Sequence, residues 1–113
     1  MNSAFGEAEE ERMGPQEKQD LQNAGHVRRH YIISGRVQEV GFRYTAYYIA
    51  EELKLSGWVA NLPDGNVEME LQGRPETIDT LLCRLDGNGR IVIDTIEEED
   101  RPLQRACGFK VRG

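Results

Sequence analysis

Residues 29–53 read RHYIISGRVQEVGFRYTAYYIAEEL, and a change of apolar period inside this stretch decides the fold. Up to Val37 the pattern alternates, with Tyr31, Ile33, Gly35 and Val37 on one face at the period of a strand. From Phe42 it changes, because Phe42, Ala46, Ile49, Ala50 and Leu53 gather on one side only if the chain is helical. A strand therefore passes into a helix within a few residues.

Downstream, Gly57–Ala60 and Val67–Leu71 read as short strands. Between them Pro63-Asp64-Gly65-Asn66 carries the Asp-Gly signal of an antiparallel hairpin. Pro75 opens a second helix, with Glu76 and Asp79 near its positive end and Ile78, Leu81, Leu82 and Leu85 as the buried stripe. After the Asp-Gly-Asn-Gly break at 86–89, residues 91–96 read as a fourth strand that ends in the acidic run Glu97-Glu98-Glu99-Asp100. Phe109–Arg112 adds a short edge strand. The order β-α-β-β-α-β predicts an α+β fold of the ferredoxin-like type, a sandwich of one antiparallel sheet with two helices on one face.

The 113 residues, 38% apolar and 30% charged, suffice for one such domain and leave little for a second. Residues 1–26 are set apart by composition. Glu7, Glu9, Glu10, Glu11, Glu17 and Asp20 face only Arg12 and Lys18, among glycines and glutamines with no apolar periodicity. Such a segment buries too little surface to offset its ordering entropy, so a disordered acidic tail is expected at 1–26 and the folded domain at 27–113. No run approaches the ~18 apolar residues of a membrane span, and no secretory leader precedes the domain, so a cytoplasmic protein is expected. The net charge of −6 argues against nucleic acid or anionic lipid as partner. Cys83 and Cys107 are too few for a disulfide framework or thiolate cage and are expected as free thiols. His26 and His30 lack a completing ligand set, and no metal site is expected.

Chemistry concentrates in Gly35-Arg36-Val37-Gln38-Glu39-Val40-Gly41-Phe42-Arg43. The segment is neither a Walker loop nor a dinucleotide fingerprint. Its backbone N–H groups nevertheless converge at a helix start, where Gly41 lets the chain approach an oxyanion closely. Arg43 falls in the helix's first turn, facing the positive end of the dipole, which costs up to about 1 kcal/mol. A bound phosphate would compensate, with the guanidinium forking onto two oxygens; so would solvent or a glutamate partner. Asn61, just past the second strand, can orient a water through its amide or can simply initiate the Pro63-Asp64-Gly65 turn.

Gly-Arg-Val-Gln-Glu-Val-Gly-Phe-Arg at 35–43, Ala50-Glu51-Glu52-Leu53, Gly57-Trp58-Val59-Ala60-Asn61, Asp64-Gly65-Asn66-Val67-Glu68 and Gln72-Gly73, in this order, resemble the acylphosphatase family. The resemblance covers roughly residues 30–113. It implies a metal-independent enzyme without organic cofactor that hydrolyses a small-molecule acyl phosphate, a carboxyl-phosphate anhydride, to carboxylate and inorganic phosphate. It further implies that Arg43 binds phosphate and Asn61 positions the attacking water, with Gln38, Glu39, Val40, Gly41 and Phe42 as the loop that holds the substrate. A monomer is expected.

The chain departs from the family pattern at two glycines. Glu39 stands inside the phosphate loop, where an inward carboxylate would repel the substrate and a positive φ would cost about 1 to 2 kcal/mol. Lys54 replaces the glycine that ends the first helix, away from the chemistry. The alternative to a working enzyme is a domain of this fold that binds anions or partners with weakened turnover.

Overall fold

The computed structural model describes residues 13–105 and 107–113. In chain order these form α1 (Pro15–Asn23), β1 (Val27–Arg36), α2 (Phe42–Leu53), β2 (Ser56–Asn61), β3 (Val67–Gly73), α3 (Pro75–Leu85), β4 (Val92–Arg101) and β5 (Phe109–Val111). The sheet order is β4-β1-β3-β2-β5. Its first four strands pair antiparallel, but β5 runs parallel to β2, with Gly57 opposite Phe109 and Val59 opposite Val111. The fold is the ferredoxin-like one, and the purely antiparallel sheet expected from sequence is corrected to a mixed sheet. A strand that enters from the far side after β4 needs no hairpin, so nothing forces it to reverse.

The two periods read in residues 29–53 become two sides of one core. Tyr31, Ile33, Val59, Val67, Met69 and Leu71 project from the sheet onto Phe42, Ala46, Ile49 and Ala50 of α2 and Ile78, Leu81 and Leu85 of α3. All of these are buried. The other sheet face is polar and internally paired. Arg28 is only 5% exposed, with Nε 2.7 Å from Glu70 Oε1, and His30 Nε2 lies 2.7 Å from Glu68 Oε2. A buried charge left alone would cost several kcal/mol, and the carboxylates on the neighbouring strand remove that penalty.

Strand β4 runs through the acidic residues that were expected to end it. Glu98 and Asp100 lie 3.7 and 4.0 Å from the Arg29 guanidinium, which also meets Asp79, and Glu99 pairs with Arg101. Cross-strand cations offset the mutual repulsion of the run, while the charge itself blunts an exposed edge.

Residues 15–23 also differ from the expectation for the tail, because they form a helix. Gly14 N–H donates to Glu17 Oε1, Pro15 occupies the first turn, and Gln16 bonds Asp20 one turn on. These local bonds favour the helix without any apolar face; α1 buries no residue. Its link to the domain is Glu17, which accepts from Arg105 Nη2 at 2.9 Å and Nε at 3.2 Å. The arginine holds the Glu17 carboxyl below the usual carboxylate range. Residues 1–12 lie outside the described residues.

Two expectations follow from this packing. Because α1 buries nothing, deleting residues 1–25 leaves the melting temperature and kcat/KM nearly unchanged, as thermal unfolding and steady-state assays would read; a large loss in either would assign α1 a structural role. The Tyr31 hydroxyl is pushed up to about 12, chiefly by burial, against a lowering effect of Arg29. A raised acid favours the protonated native state, so its contribution is complete below the unfolded pKa near 10 and is lost as pH rises towards 12. Denaturant unfolding at stepped pH should show stability falling across that window, and Tyr31→Phe should flatten the fall.

Candidate active site

The loop between β1 and α2 begins and ends with glycines whose conformations no other residue takes easily. Gly35 has φ 131°, and a Cβ there would stand 2.2 Å from the Val92 carbonyl oxygen. It sits where the β1–β4 register shifts, which turns the chain off the sheet. Gly41, φ 82°, caps α2 from the left-handed region. Between them Glu39 adopts φ 62°. This is the conformation in which a glycine would be unstrained, and the side chain is exposed, with no hydrogen bond or ion pair among the described residues. Lys54 likewise ends α2 at φ 60° in place of glycine.

This geometry frees a run of donors. Among the described residues the backbone N–H groups of Gln38, Glu39, Val40, Gly41 and Phe42 have no protein acceptor, the first turn-closing bond being Thr45 N–H to the Gly41 carbonyl at 3.0 Å. Unpaired N–H groups at a helix start form a concavity for an oxyanion, and the dipole of α2 adds to it. Val40 and Phe42 contribute in another way. Phe42 is buried in the core and Val40 packs against it, so the loop is pinned from beneath.

Gln38 holds the loop from the side. Its Nε2 donates to the Leu62 carbonyl at 2.7 Å and to the Asn66 carbonyl at 2.9 Å, the two ends of the β2–β3 turn. Its amide group is therefore committed to structure, and only its backbone N–H is left for a ligand. Arg43, in the first turn of α2, has no carboxylate within ion-pair distance among the described residues; Nη1 donates to the Arg112 carbonyl at 3.1 Å. One of five guanidinium N–H groups is thus used to aim the rest. Arg112 is itself fixed, its N–H bonded to the Val59 carbonyl at 2.8 Å.

Asn61 closes β2. Strand alternation puts it on the same face as Val59, the face that carries α2. Its side-chain Oδ1 is buried and has no hydrogen-bond partner among the described residues. The turn that follows is closed by others, with Asp64 accepting from Asn66 N–H and Leu62 N–H bonded to the Asn66 carbonyl. Asn61 is therefore not the turn initiator, and a buried acceptor without a partner is the kind of group a bound water satisfies.

The site residues read from sequence thus lie at one end of the fold. The Gln38 and Arg112 ties attach the loop and the start of α2 to positions on either side of Asn61, at Leu62 and Val59. Sequence reading missed the Arg112 carbonyl, 69 residues from Arg43, for which no local pattern exists. No group of three or more metal-ligating side chains occurs among the described residues. No described helix is long and apolar enough to cross a membrane.

Fold and loop together define a small ferredoxin-like domain in which a run of unpartnered backbone N–H groups stands beside an arginine with spare donors. A family model described as acylphosphatase matches residues 29–111, and the chain belongs to the acylphosphatase family, hydrolases that act on acyl phosphates. It is 51% identical over 85 residues to an acylphosphatase of Methylococcus capsulatus, covering 74% of this chain and 77% of the relative. An acylphosphatase of Methanospirillum hungatei is 35% identical over 82 residues, 71% of this chain and 87% of the relative. The solved structure of an acylphosphatase from Coxiella burnetii superposes with a TM-score of 0.69 at 31% identity, over 80% of this chain and 96% of that one.

Loss of the Gln38 amide unties the loop from the turn while leaving the core intact. Gln38→Ala should therefore lower kcat/KM on an acyl phosphate about tenfold with little change in melting temperature. Glu39→Gly removes the positive-φ strain and should raise stability by up to about 1 kcal/mol. It should change kcat/KM by less than about tenfold, since the carboxylate is exposed. A much larger gain in activity would mean that Glu39 obstructs the loop.

Proposed function

We propose that the acyl phosphate's phosphoryl group sits in the 37–43 loop, with its oxygens on the backbone N–H groups of Gln38–Phe42 and on the Arg43 guanidinium. Asn61 holds the attacking water. Water attacks phosphorus, the bond from phosphorus to the acyl oxygen breaks, the carboxylate leaves with the bonding electron pair, and inorganic phosphate forms with release of the water's proton. The observation that carries this reading is the unpartnered run of N–H groups beside an arginine with spare donors. The buried, partnerless Asn61 Oδ1 supports the second role.

The chemistry asks little more of the protein. A carboxylic acid has a pKa of roughly 4 to 5, so the leaving group departs as the anion and no general acid is required. Positioning and neutralisation of charge on the equatorial oxygens then carry a loose phosphoryl-transfer transition state. Neither task calls for a metal or an organic cofactor, and the reading is metal-independent. It also places the enzyme in the reducing cytoplasm, supported by two exposed, unpaired cysteines, and as a monomer, since loop, Arg43 and Asn61 come from one chain.

Phosphate release from benzoyl phosphate tests the assignment. Arg43→Lys should lose most of the activity with the fold retained, since a point charge cannot replace the planar fork. Asn61→Ala should lower kcat sharply while inhibition by inorganic phosphate changes little, and chelator should not affect the parent enzyme. Equal weakening of phosphate inhibition in both variants would move Asn61 from the water to the phosphate. Bound phosphate without turnover in the parent would favour an anion-binding domain instead.

A further inference from the structure

Alternation along β2 puts Ser56 and Trp58 on the sheet face opposite Asn61 and α2. Next to β5 this polar face holds a shallow depression of about 20 Å3, room for little more than one water, whose lining includes Ser56, Trp58, Arg105, Lys110 and Arg112 and the buried Arg28. Among the described residues no aspartate or glutamate lines it, in a chain of net charge −6. Arg28 and Arg105 are paired with Glu70 and Glu17, at 2.7 and 2.9 Å. Lys110 and Arg112 have no carboxylate within ion-pair distance among the described residues. Trp58 stands opposite Lys110 in the register, and the Arg112 guanidinium lies 4.8 Å over the indole, which holds both cations on this face. Ser56 is 8% exposed and its hydroxyl makes no hydrogen bond among the described residues.

An arginine over an aromatic ring, a lysine beside it, an unused hydroxyl and a buried arginine form an anion receptor that the proposed reaction does not use. We infer that Lys110, Arg112 and Trp58 at the mouth of this depression form a second anion site, which takes a small molecule bearing a diphosphate group with one oxygen reaching the water-sized space behind. Lys110 and Arg112 are two residues apart on an extended chain, about 6.6 Å along it, which suits two adjacent phosphoryl groups better than one. Arg112 stacks and forks at once, and Ser56 donates to an oxygen at the closed end.

The site comes with its own reporter, because Trp58 is the only tryptophan in the chain. Titration of the full-length protein with inorganic pyrophosphate, without divalent cation, should change Trp58 emission saturably. Lys110→Glu should weaken that binding at least about tenfold while Arg43→Ala changes it less than about twofold. Lys110→Glu should also leave benzoyl phosphate hydrolysis near the parent rate, which shows that it folds. No saturable change in the parent protein would overturn the inference. So would a response lost in Arg43→Ala but kept in Lys110→Glu, which would place the pyrophosphate in the 37–43 loop. Neither result counts against the hydrolytic reading, whose failure would appear in the benzoyl phosphate assay.

Discussion

The amide of Gln38 is the constraint on which the site depends. One nitrogen supplies both donors, to carbonyls at the two ends of the β2–β3 turn. That turn is already rigid, closed by its own backbone bonds and by Asp64. The loop therefore inherits the rigidity of the sheet without spending its own N–H groups, which is why a row of them is left over. Had those groups closed a conventional turn, the same residues would hold a loop with nothing to offer an anion.

A chain this acidic binds an anion only if its carboxylates are kept from the loop. They are segregated. Glu97–Asp100 lie along β4, at the sheet edge farthest from β2, where Arg29 and Arg101 meet several of them. Glu68 and Glu70 are turned to the polar face and paired there with His30 and Arg28. Glu39 alone remains in the loop. In the left-handed conformation it is exposed, so solvent screens its charge, whereas a desolvated carboxylate about 6 Å from a phosphoryl oxygen would cost several kcal/mol. The strain of a non-glycine residue there is the smaller of the two costs.

Much of this was legible in the sequence, for identifiable reasons. The switch from period 2 to period 3.6 between Val37 and Phe42 is a local signal, and it marked both the first strand-to-helix passage and the core residues Tyr31, Ile33, Phe42, Ala46 and Ile49. Glu39 and Lys54 were identifiable as substitutions at glycine positions, and both take positive φ. What was illegible depends on distant partners. The acidic run looked like a strand terminus because Arg29, which meets Glu98 and Asp100, comes from the distant β1. The helix at 15–23 looked like coil because its stabilising bonds are polar side-chain contacts one turn apart, which leave no hydrophobic period. Gln38 was read as a substrate contact, and only the three-dimensional position of the β2–β3 turn reveals that its side chain is engaged elsewhere.

The parallel orientation of β5 was also invisible to periodicity, and it is the element of topology the site needs most. Strand β2 ends in Asn61, so anything that must stand beside Asn61 has to be delivered at the C-terminal end of a neighbouring strand or the N-terminal end of an antiparallel one. Parallel β5 brings its C-terminal end there, and with it the Arg112 carbonyl that aims Arg43. An antiparallel β5 would bring Phe109 to that end and carry Arg112 to the other, beside Ser56, leaving the guanidinium unaimed. The same direction leads Phe109 into the core beside Gly57 and leaves Lys110 and the Arg112 side chain on the polar face. Residue 112 is thus split between two surfaces: its carbonyl accepts from Arg43 beside the 37–43 loop, and its side chain faces Trp58. A substitution there would disturb the polar face through the side chain first, and the arginine only through the backbone.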